Sequence, residues 1–355
     1  MSHEDDAHIY QGFTASELLA AMAPQEVVLD AFYSMNANSD NLDEAFAALV
    51  IDAQAYHSDY PVSRRYISHL VNLYINEHYR DNIEDLTSEA LLELYLTAKA
   101  AATGLPDPEE AGYCSFRMQD DALLRIRIFP YHNDVSLRLW EAGAVLAEYL
   151  VGNRCQMIRQ SRIVELGAGV GATGLALVAA GATHVLCTDY TERALQNMKH
   201  NFDQVDWLLF QKQQEENSAK DRIRAAHLDW NEESPPAHVE TEFQQADLLI
   251  AADVAYDRDV LQPLVRTVRR FLQSKNNNNL KKKALFATTR RNLETFRLLR
   301  HQVAAHHIAC RILDYHPSKY PVLFPKKFHQ KRHDVELWEL TLSSGNVVQE
   351  QDATN

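Results

Sequence analysis

Apolar and polar positions change their rhythm once along this chain, near residue 104. From Thr14 to Thr103 apolar residues recur every three or four positions, with no glycine and no strand-like alternation, and this predicts helices. Thr14-Ala15-Ser16-Glu17 ahead of Leu18-Leu19 has the form of a capping box, in which Thr14 and Glu17 satisfy each other's backbone donors. Asn41 followed by Glu44 marks a second start. A third stripe runs through Tyr66, Leu70, Leu73 and Tyr74, with Pro61 suited to its first turn, and a fourth covers Leu91 to Ala101. The segments predict a small bundle of about four helices.

Past Gly104 the texture changes. Pro106, Pro108 and Gly112 break helices, and Leu124-Arg125-Ile126-Arg127-Ile128 alternates as a strand does. After Leu137, apolar strand-like runs occur at Ile163–Leu166, His184–Cys187, Leu248–Ala251, Ala284–Ala287 and Val335–Leu340, with helical patterns such as Val260–Leu272 and Leu293–Ala304 between them. Strand–helix alternation predicts an α/β fold with a mostly parallel sheet covered on both faces. The expected organisation is a helical domain over residues 1–104, a linker with short β-strands over 105–136, an α/β domain over 137–343 and a disordered tail over 344–355. Asn276 to Lys283 reads as an exposed polar loop.

At 355 residues the chain is long enough for two cores. Its 46% hydrophobic content, with no apolar run approaching 18 residues, argues for a folded protein without a membrane span. The start, Met1-Ser2-His3-Glu4-Asp5-Asp6, is acidic and unlike a secretory signal, which leaves the cytosol or nucleus; a cytoplasmic location is expected, and separately a monomer. Cys114, Cys155, Cys187 and Cys310 are scattered, and His184, His200, His227, His306 and His307 show no ligand spacing, so no metal is expected. A net charge of −14 disfavours a nucleic-acid partner. Lys281-Lys282-Lys283 and the stretch from Lys326-Lys327 to Lys331-Arg332 read as solvated loop charge.

The sharpest local signal is Glu165-Leu166-Gly167-Ala168-Gly169-Val170-Gly171-Ala172-Thr173-Gly174, directly after an apolar strand and running into a helix. Glycines at such a turn let backbone approach a nucleotide-like ligand. Asp189, at the end of the next strand, is placed to bind ribose hydroxyls. A nicotinamide dinucleotide and S-adenosylmethionine both fit this plan. Glu165 separates them, because a carboxylate beside the turn repels a pyrophosphate and attracts a sulfonium with its ammonium-bearing tail. S-adenosylmethionine is therefore favoured. Trp230 would lie against an adenine, Asp229 would accept from its exocyclic amine, and Trp140 would close over the methionine end. Taken alone, each tryptophan is also what a packed core would hold.

The combination of Trp140, Glu165-Leu166-Gly167-Ala168-Gly169-Val170-Gly171, Asp189, Leu228-Asp229-Trp230 and Ala252-Asp253-Val254-Ala255-Tyr256-Asp257 resembles the seven-β-strand lysine methyltransferases of the family-16 type. Tyr60-Pro61-Val62-Ser63-Arg64-Arg65-Tyr66, Ala90-Leu91-Leu92-Glu93-Leu94-Tyr95 and Phe286 to Thr295 are similar to the elongation factor 2 lysine methyltransferases. The resemblance implies a Rossmann-like class I methyltransferase sheet preceded by a helical domain. It also implies that Trp140, Gly167, Ala168, Gly169, Asp189, Trp230 and Ala252 contact S-adenosylmethionine, with Asp253 and Tyr256 facing a lysine of a protein substrate. The glutamine-rich stretch from Gln204 to Lys220 and an apparent insertion over His316–Lys331 depart from the pattern, so the substrate-facing rim is expected to differ.

Methyl transfer needs a neutral amine, and a lysine of pKa about 10.4 is neutral in only about one molecule in 2,500 at pH 7. A carboxylate at Asp253 would raise that pKa, so Asp253 is better cast as the acceptor that aims the amine than as a strong base. Tyr256 would offer its ring face to the shared positive charge. Without the resemblance, Asp253 as a cap and Tyr256 as a packing residue serve equally well. Three readings are open: a protein-lysine methyltransferase acting on elongation factor 2, an enzyme of the same fold acting on a lysine or histidine of another protein, or a cofactor-binding interaction protein without catalysis.

Overall fold

The computed structural model describes residues 10, 12–56, 59–80, 82–118, 123–159, 161–205, 219–274, 281–316, 319–320, 322–325 and 332–343. The expected tail over 344–355, the acidic start and most of the glutamine-rich stretch lie outside them.

Among the described residues, five α-helices build the first part of the chain, where about four were expected: α1 (Ala15–Ala20), α2 (Gln25–Met35), α3 (Leu42–Tyr56), α4 (Arg64–Tyr79) and α5 (Glu89–Ala102). The capping box of α1 forms, with Glu17 N donating to Thr14 Oγ1 and Thr14 N to Glu17 Oε2. The first apolar stripe splits because Pro24 has no N–H to continue a helix and serves as the cap of α2. Asn41 accepts from Glu44 N as expected. Pro61, expected in the first turn of α4, lies before its cap, Ser63. Its carbonyl instead accepts from Tyr113 N at 2.9 Å, joining the helices to a β-hairpin.

That hairpin pairs β1 (Gly112–Arg117) antiparallel with β2 (Leu123–Ile128). Gly112 is therefore the first residue of a strand and not a helix breaker. A Cβ there would lie 3.1 Å from Ser63 N, so the glycine permits close approach of the hairpin to the start of α4. Tyr113 also hydrogen-bonds His200 Nε2 at 2.7 Å, and Arg127 Nε donates to Asn197 Oδ1 at 2.7 Å, which binds the hairpin to the helix carrying those residues.

The remaining elements run α6 (Glu141–Ile158), β3 (Arg162–Leu166), α7 (Ala172–Ala179), β4 (His184–Asp189), α8 (Glu192–Asp203), β5 (Ile223–His227), α9 (Ala237–Gln245), β6 (Leu248–Ala252), α10 (Leu261–Gln273), β7 (Lys283–Thr289), α11 (Leu293–Ala305), β8 (Ile308–Leu313) and β9 (Val335–Leu342). The seven strands from β3 onward form one sheet in the order β5-β4-β3-β6-β7-β9-β8, parallel except for β9, which is antiparallel to β7 and to β8. This is the Rossmann-like seven-stranded sheet of the class I methyltransferases, preceded here by helices. The two strands absent from the apolar pattern, β5 and β8, are the two edges of the sheet. Four consecutive residues of β8 are exposed, so no alternation marks it.

Successive strand residues feed opposite cores. Ile163, Ile250 and Leu285 join α6, α7 and α8, and this apolar cluster continues without a break into Phe32, Phe46 and Tyr74 of the helical region. Val164, Leu249 and Phe286 join α9, α10 and α11 around Phe243, Phe271 and Trp338. Among the described residues no helix is long and apolar enough to cross a membrane.

Three basic residues expected in solvent are buried or paired. Lys282 is 5% exposed, donates to the carbonyl oxygens of Phe243 and Gln244 at the end of α9, and has its pKa lowered to about 8 by burial. Lys283 opens β7 and pairs with Glu339. Arg332 is 1% exposed against Glu148, while Lys326, Lys327 and Lys331 lie outside the described residues. In each case the tertiary neighbour is an acceptor that the local sequence does not name. His306 caps the end of α11, and His307 follows it with φ +55°.

Candidate active site

The chain runs outward through β3, β4 and β5, then returns to lay β6 on the other side of β3. At that reversal the two connections leaving β3 and β6 diverge and open a crevice at the carboxyl ends of the strands. A cavity of about 460 Å³ occupies it. All eleven residues singled out from the sequence line this one cavity: Trp140, Glu165, Gly167, Ala168, Gly169, Asp189, Asp229, Trp230, Ala252, Asp253 and Tyr256.

The glycine turn is built by backbone that tolerates positive φ, +62° at Gly167 and +55° at Gly169. A Cβ at Gly167 would come within 2.7 Å of Val254 Cγ1, and one at Gly169 within 2.9 Å of Ser136 O. Asp189 fastens the turn, its Oδ2 accepting from Gly169 N at 3.0 Å and its Oδ1 from Tyr190 N at 2.8 Å. Burial raises the Asp189 pKa, and those N–H donors pull it back. Glu165 is 3% exposed, beneath the start of α7. Burial pushes its pKa up to about 7, against hydrogen bonds from Cys187, Thr173 and Gly174 that favour the carboxylate.

On the opposite wall, Asp229 Oδ1 accepts from both the backbone N and the side-chain amide of Asn231, making a turn that presents Trp230. The Trp230 ring borders Gly167, and its Nε1 is buried without a hydrogen-bond partner among the described residues. Trp140, at the start of α6, donates from Nε1 to Val135 O at 2.8 Å.

Asp253 follows β6 with φ +52°, unusual for a residue with a side chain. Its N–H donates to Ala287 O, and its carboxylate accepts from Thr289 N at 2.9 Å, Thr289 Oγ1 at 3.0 Å and Arg291 at 2.9 Å. The unusual backbone is thus held from the neighbouring strand β7. Tyr256 stands at the mouth, 57% exposed, its hydroxyl pKa raised first by burial and then by neighbouring tyrosine and aspartate groups.

Sequence reasoning missed three contributors to the wall. Arg291 was visible only as one of two adjacent arginines, and nothing local says that it turns inward while Arg290 pairs with Glu336. Asp134–Ser136 precede Trp140 without a motif. Phe324 lies in the apparent insertion between β8 and β9, yet reaches the cavity and packs edge-on against Phe116 of β1 at 4.8 Å.

Among the described lining residues, six carboxylates (Asp134, Glu165, Asp189, Asp229, Asp253 and Asp257) face two guanidinium groups, Arg138 and Arg291. That balance is hostile to a pyrophosphate and favourable to a ligand carrying a sulfonium and an ammonium. The unpartnered Trp230 indole and the side-chain-free turn at Gly167 and Gly169 supply the flat and the close surfaces that an adenosine moiety needs. The residues present therefore fit S-adenosylmethionine.

A sequence model of the family described as lysine methyltransferase matches residues 119–299, just over half of the chain. The chain is 32% identical over 155 residues to the protein N-terminal and lysine N-methyltransferase EFM7 of Cryptococcus neoformans, covering 42% of this chain and 48% of that protein. It spans only about half the length of that relative. It is 26% identical over 275 residues to the human protein-lysine N-methyltransferase EEF2KMT, covering 76% and 78% of the two chains. The crystal structure of magnesium protoporphyrin IX methyltransferase from Synechocystis with bound donor overlays on 57% of this chain and 79% of its own, at 12% identity and a TM-score of 0.37. By the match over residues 119–299, this chain belongs to the lysine methyltransferase family.

Proposed function

We propose that this protein is a protein-lysine N-methyltransferase acting on elongation factor 2 in the cytoplasm, as a monomer. The observation that carries the reading is that Asp253 and Tyr256 open onto the same cavity as the glycine turn, so that donor and acceptor would meet in one site. The resemblance to EEF2KMT over three quarters of both chains supports the choice of substrate.

S-adenosylmethionine supplies a methyl group on a sulfonium, to be displaced by an uncharged amine. The roles of the chain rest on its geometry. Gly167, Ala168 and Gly169 offer backbone to the donor, Asp189 holds that turn and faces the ribose side, and Trp230 with Asp229 borders the base. Trp140 and Ala252 would border the reacting side, with Glu165, whose pKa burial lifts to about 7, beneath it. Asp253 cannot swing, since Thr289 and Arg291 hold both oxygens, and it presents a fixed acceptor for the amine hydrogen. Tyr256, exposed at the entrance, offers a ring to an entering cation. The helices of residues 1–104 contribute a surface for recognising the large substrate.

Mass spectrometry of elongation factor 2 from cells with and without this protein tests the reading. One lysine is expected to lose its methyl groups in the deletion and regain them when the purified protein and donor are added. Unchanged elongation factor 2, with methylation lost from a histidine or from another protein, would overturn the assignment.

A further inference from the structure

We propose that Arg291 is a positioning residue for methyl transfer: it ties Asp253 to the start of α6 and offsets the Asp253 charge, so that an acceptor amine can lose its proton near neutral pH. The inference rests on the reading of Asp253 as the acceptor of a lysine amine.

The Arg291 guanidinium lies between two nearly buried carboxylates. Its Nη2 is 2.9 Å from Asp253 Oδ2 and 2.7 Å from Glu141 Oε2, while those side chains are each 6% exposed. The same guanidinium stands 4.9 Å from the centre of the Trp140 ring, a cation–π contact. One side chain just beyond β7 therefore holds the residue after β6, the first residue of α6 and the indole just before that helix. These pieces come from positions 140, 141 and 253 in the chain, and Arg291 is a direct cross-link among them.

The electrostatic consequence concerns the amine. An ammonium beside an uncompensated carboxylate is favoured over the free amine, so its pKa rises and the reactive form becomes scarcer. The Arg291 guanidinium on Oδ2 of that carboxylate opposes the effect. Thr289 donates to Asp253 without adding charge, which leaves Arg291 to supply the compensation from β7. Among the described residues, the other charged or titratable groups facing this corner are Glu141 from α6 and, across the cavity, Asp134, Glu165, Asp189, Tyr190, Asp229, Tyr256 and Asp257. All are acidic, so none of them replaces the cation. Arg138 is the second guanidinium of the wall, and its group donates to His132 O on the donor side.

The test uses the full chain with S-adenosylmethionine and purified elongation factor 2, measuring kcat from pH 7 to 10 alongside donor affinity by calorimetry. Arg291→Gln removes the charge and leaves an uncharged polar side chain. It is expected to lower kcat about tenfold at pH 7.5 and to move the rising limb upward by about one pH unit, so that the deficit closes by pH 10. Donor affinity is expected to stay within threefold. Arg291→Lys should restore the wild-type profile, and Asp253→Asn added to Arg291→Gln should return the limb towards its original position. A deficit of equal size at every pH, or loss of donor binding in Arg291→Gln, would assign Arg291 a purely structural role and overturn the proposal alone. A wild-type protein that binds donor but methylates no lysine of elongation factor 2, or of a proteome from cells lacking the protein, would overturn the lysine reading and this proposal with it.

Discussion

Glu148 of α6 and Arg332 ahead of β9 form a buried ion pair across 184 residues of chain, with side-chain exposures of 2% and 1%. The same carboxylate accepts from the backbone N–H groups of Leu323 and Phe324, and Arg332 donates to Phe324 O. The apparent insertion between β8 and β9 is thereby clamped to α6, which sets Phe324 in the cavity wall. Arg332, which reads along the chain as solvated loop charge, is thus a structural part of the site.

Removing one member of that pair leaves the other charge buried and unpaired. Arg332→Met is expected to cost about 3–5 kcal/mol in urea unfolding, while Arg332→Met combined with Glu148→Met costs less than the sum of the single changes. Additive losses would show that the pair does not hold the clamp.

Glu165 predicts a pH dependence of stability. Its pKa in the fold is raised to about 7 from 4.5, so the folded protein binds the proton more tightly than the unfolded chain between those values. Stability is therefore unaffected by this group below about pH 4.5 and falls as pH rises through 7, by roughly 3 kcal/mol in full. Glu165→Gln should remove that decline, read as unfolding midpoints at pH 5 and pH 8 for the two proteins without donor. Parallel declines in both would assign the effect to other groups.

Gly169 has φ +55° and would place a Cβ 2.9 Å from Ser136 O. Gly169→Ala should therefore separate the turn from the Asp134–Ser136 segment and weaken donor binding at least tenfold, with a stability cost of about 1–2 kcal/mol. Calorimetry with S-adenosylmethionine measures the first and thermal unfolding the second. Undiminished donor affinity would remove the turn from the donor site.

Asp253→Ala takes the proposed acceptor from the amine while leaving the glycine turn and Trp230 in place. Transfer of labelled methyl is expected to fall by about 10²–10⁴-fold, with donor affinity within a few-fold. An equal fall in both would move Asp253 to the donor side.

Much of this molecule is legible along the chain because its causes are local. A capping box at Thr14 and Glu17, parallel strands that are buried on both faces and so read as unbroken apolar runs, and a glycine turn between β3 and α7 each depend on residues within a few positions of one another. The edge strands β5 and β8 were hidden because exposure on one side removes the apolar run that marks their neighbours. Only the tertiary structure could decide that Arg291 turns in and Arg290 out, that Lys282 and Arg332 are buried cations, and that Phe324 borders the cavity. Those outcomes depend on distant partners such as Asp253, Phe243 and Glu148, which the strand order carries to the same place. The residue types that can do the chemistry are written in the sequence, whereas the charges that surround them are set by which elements the sheet makes neighbours.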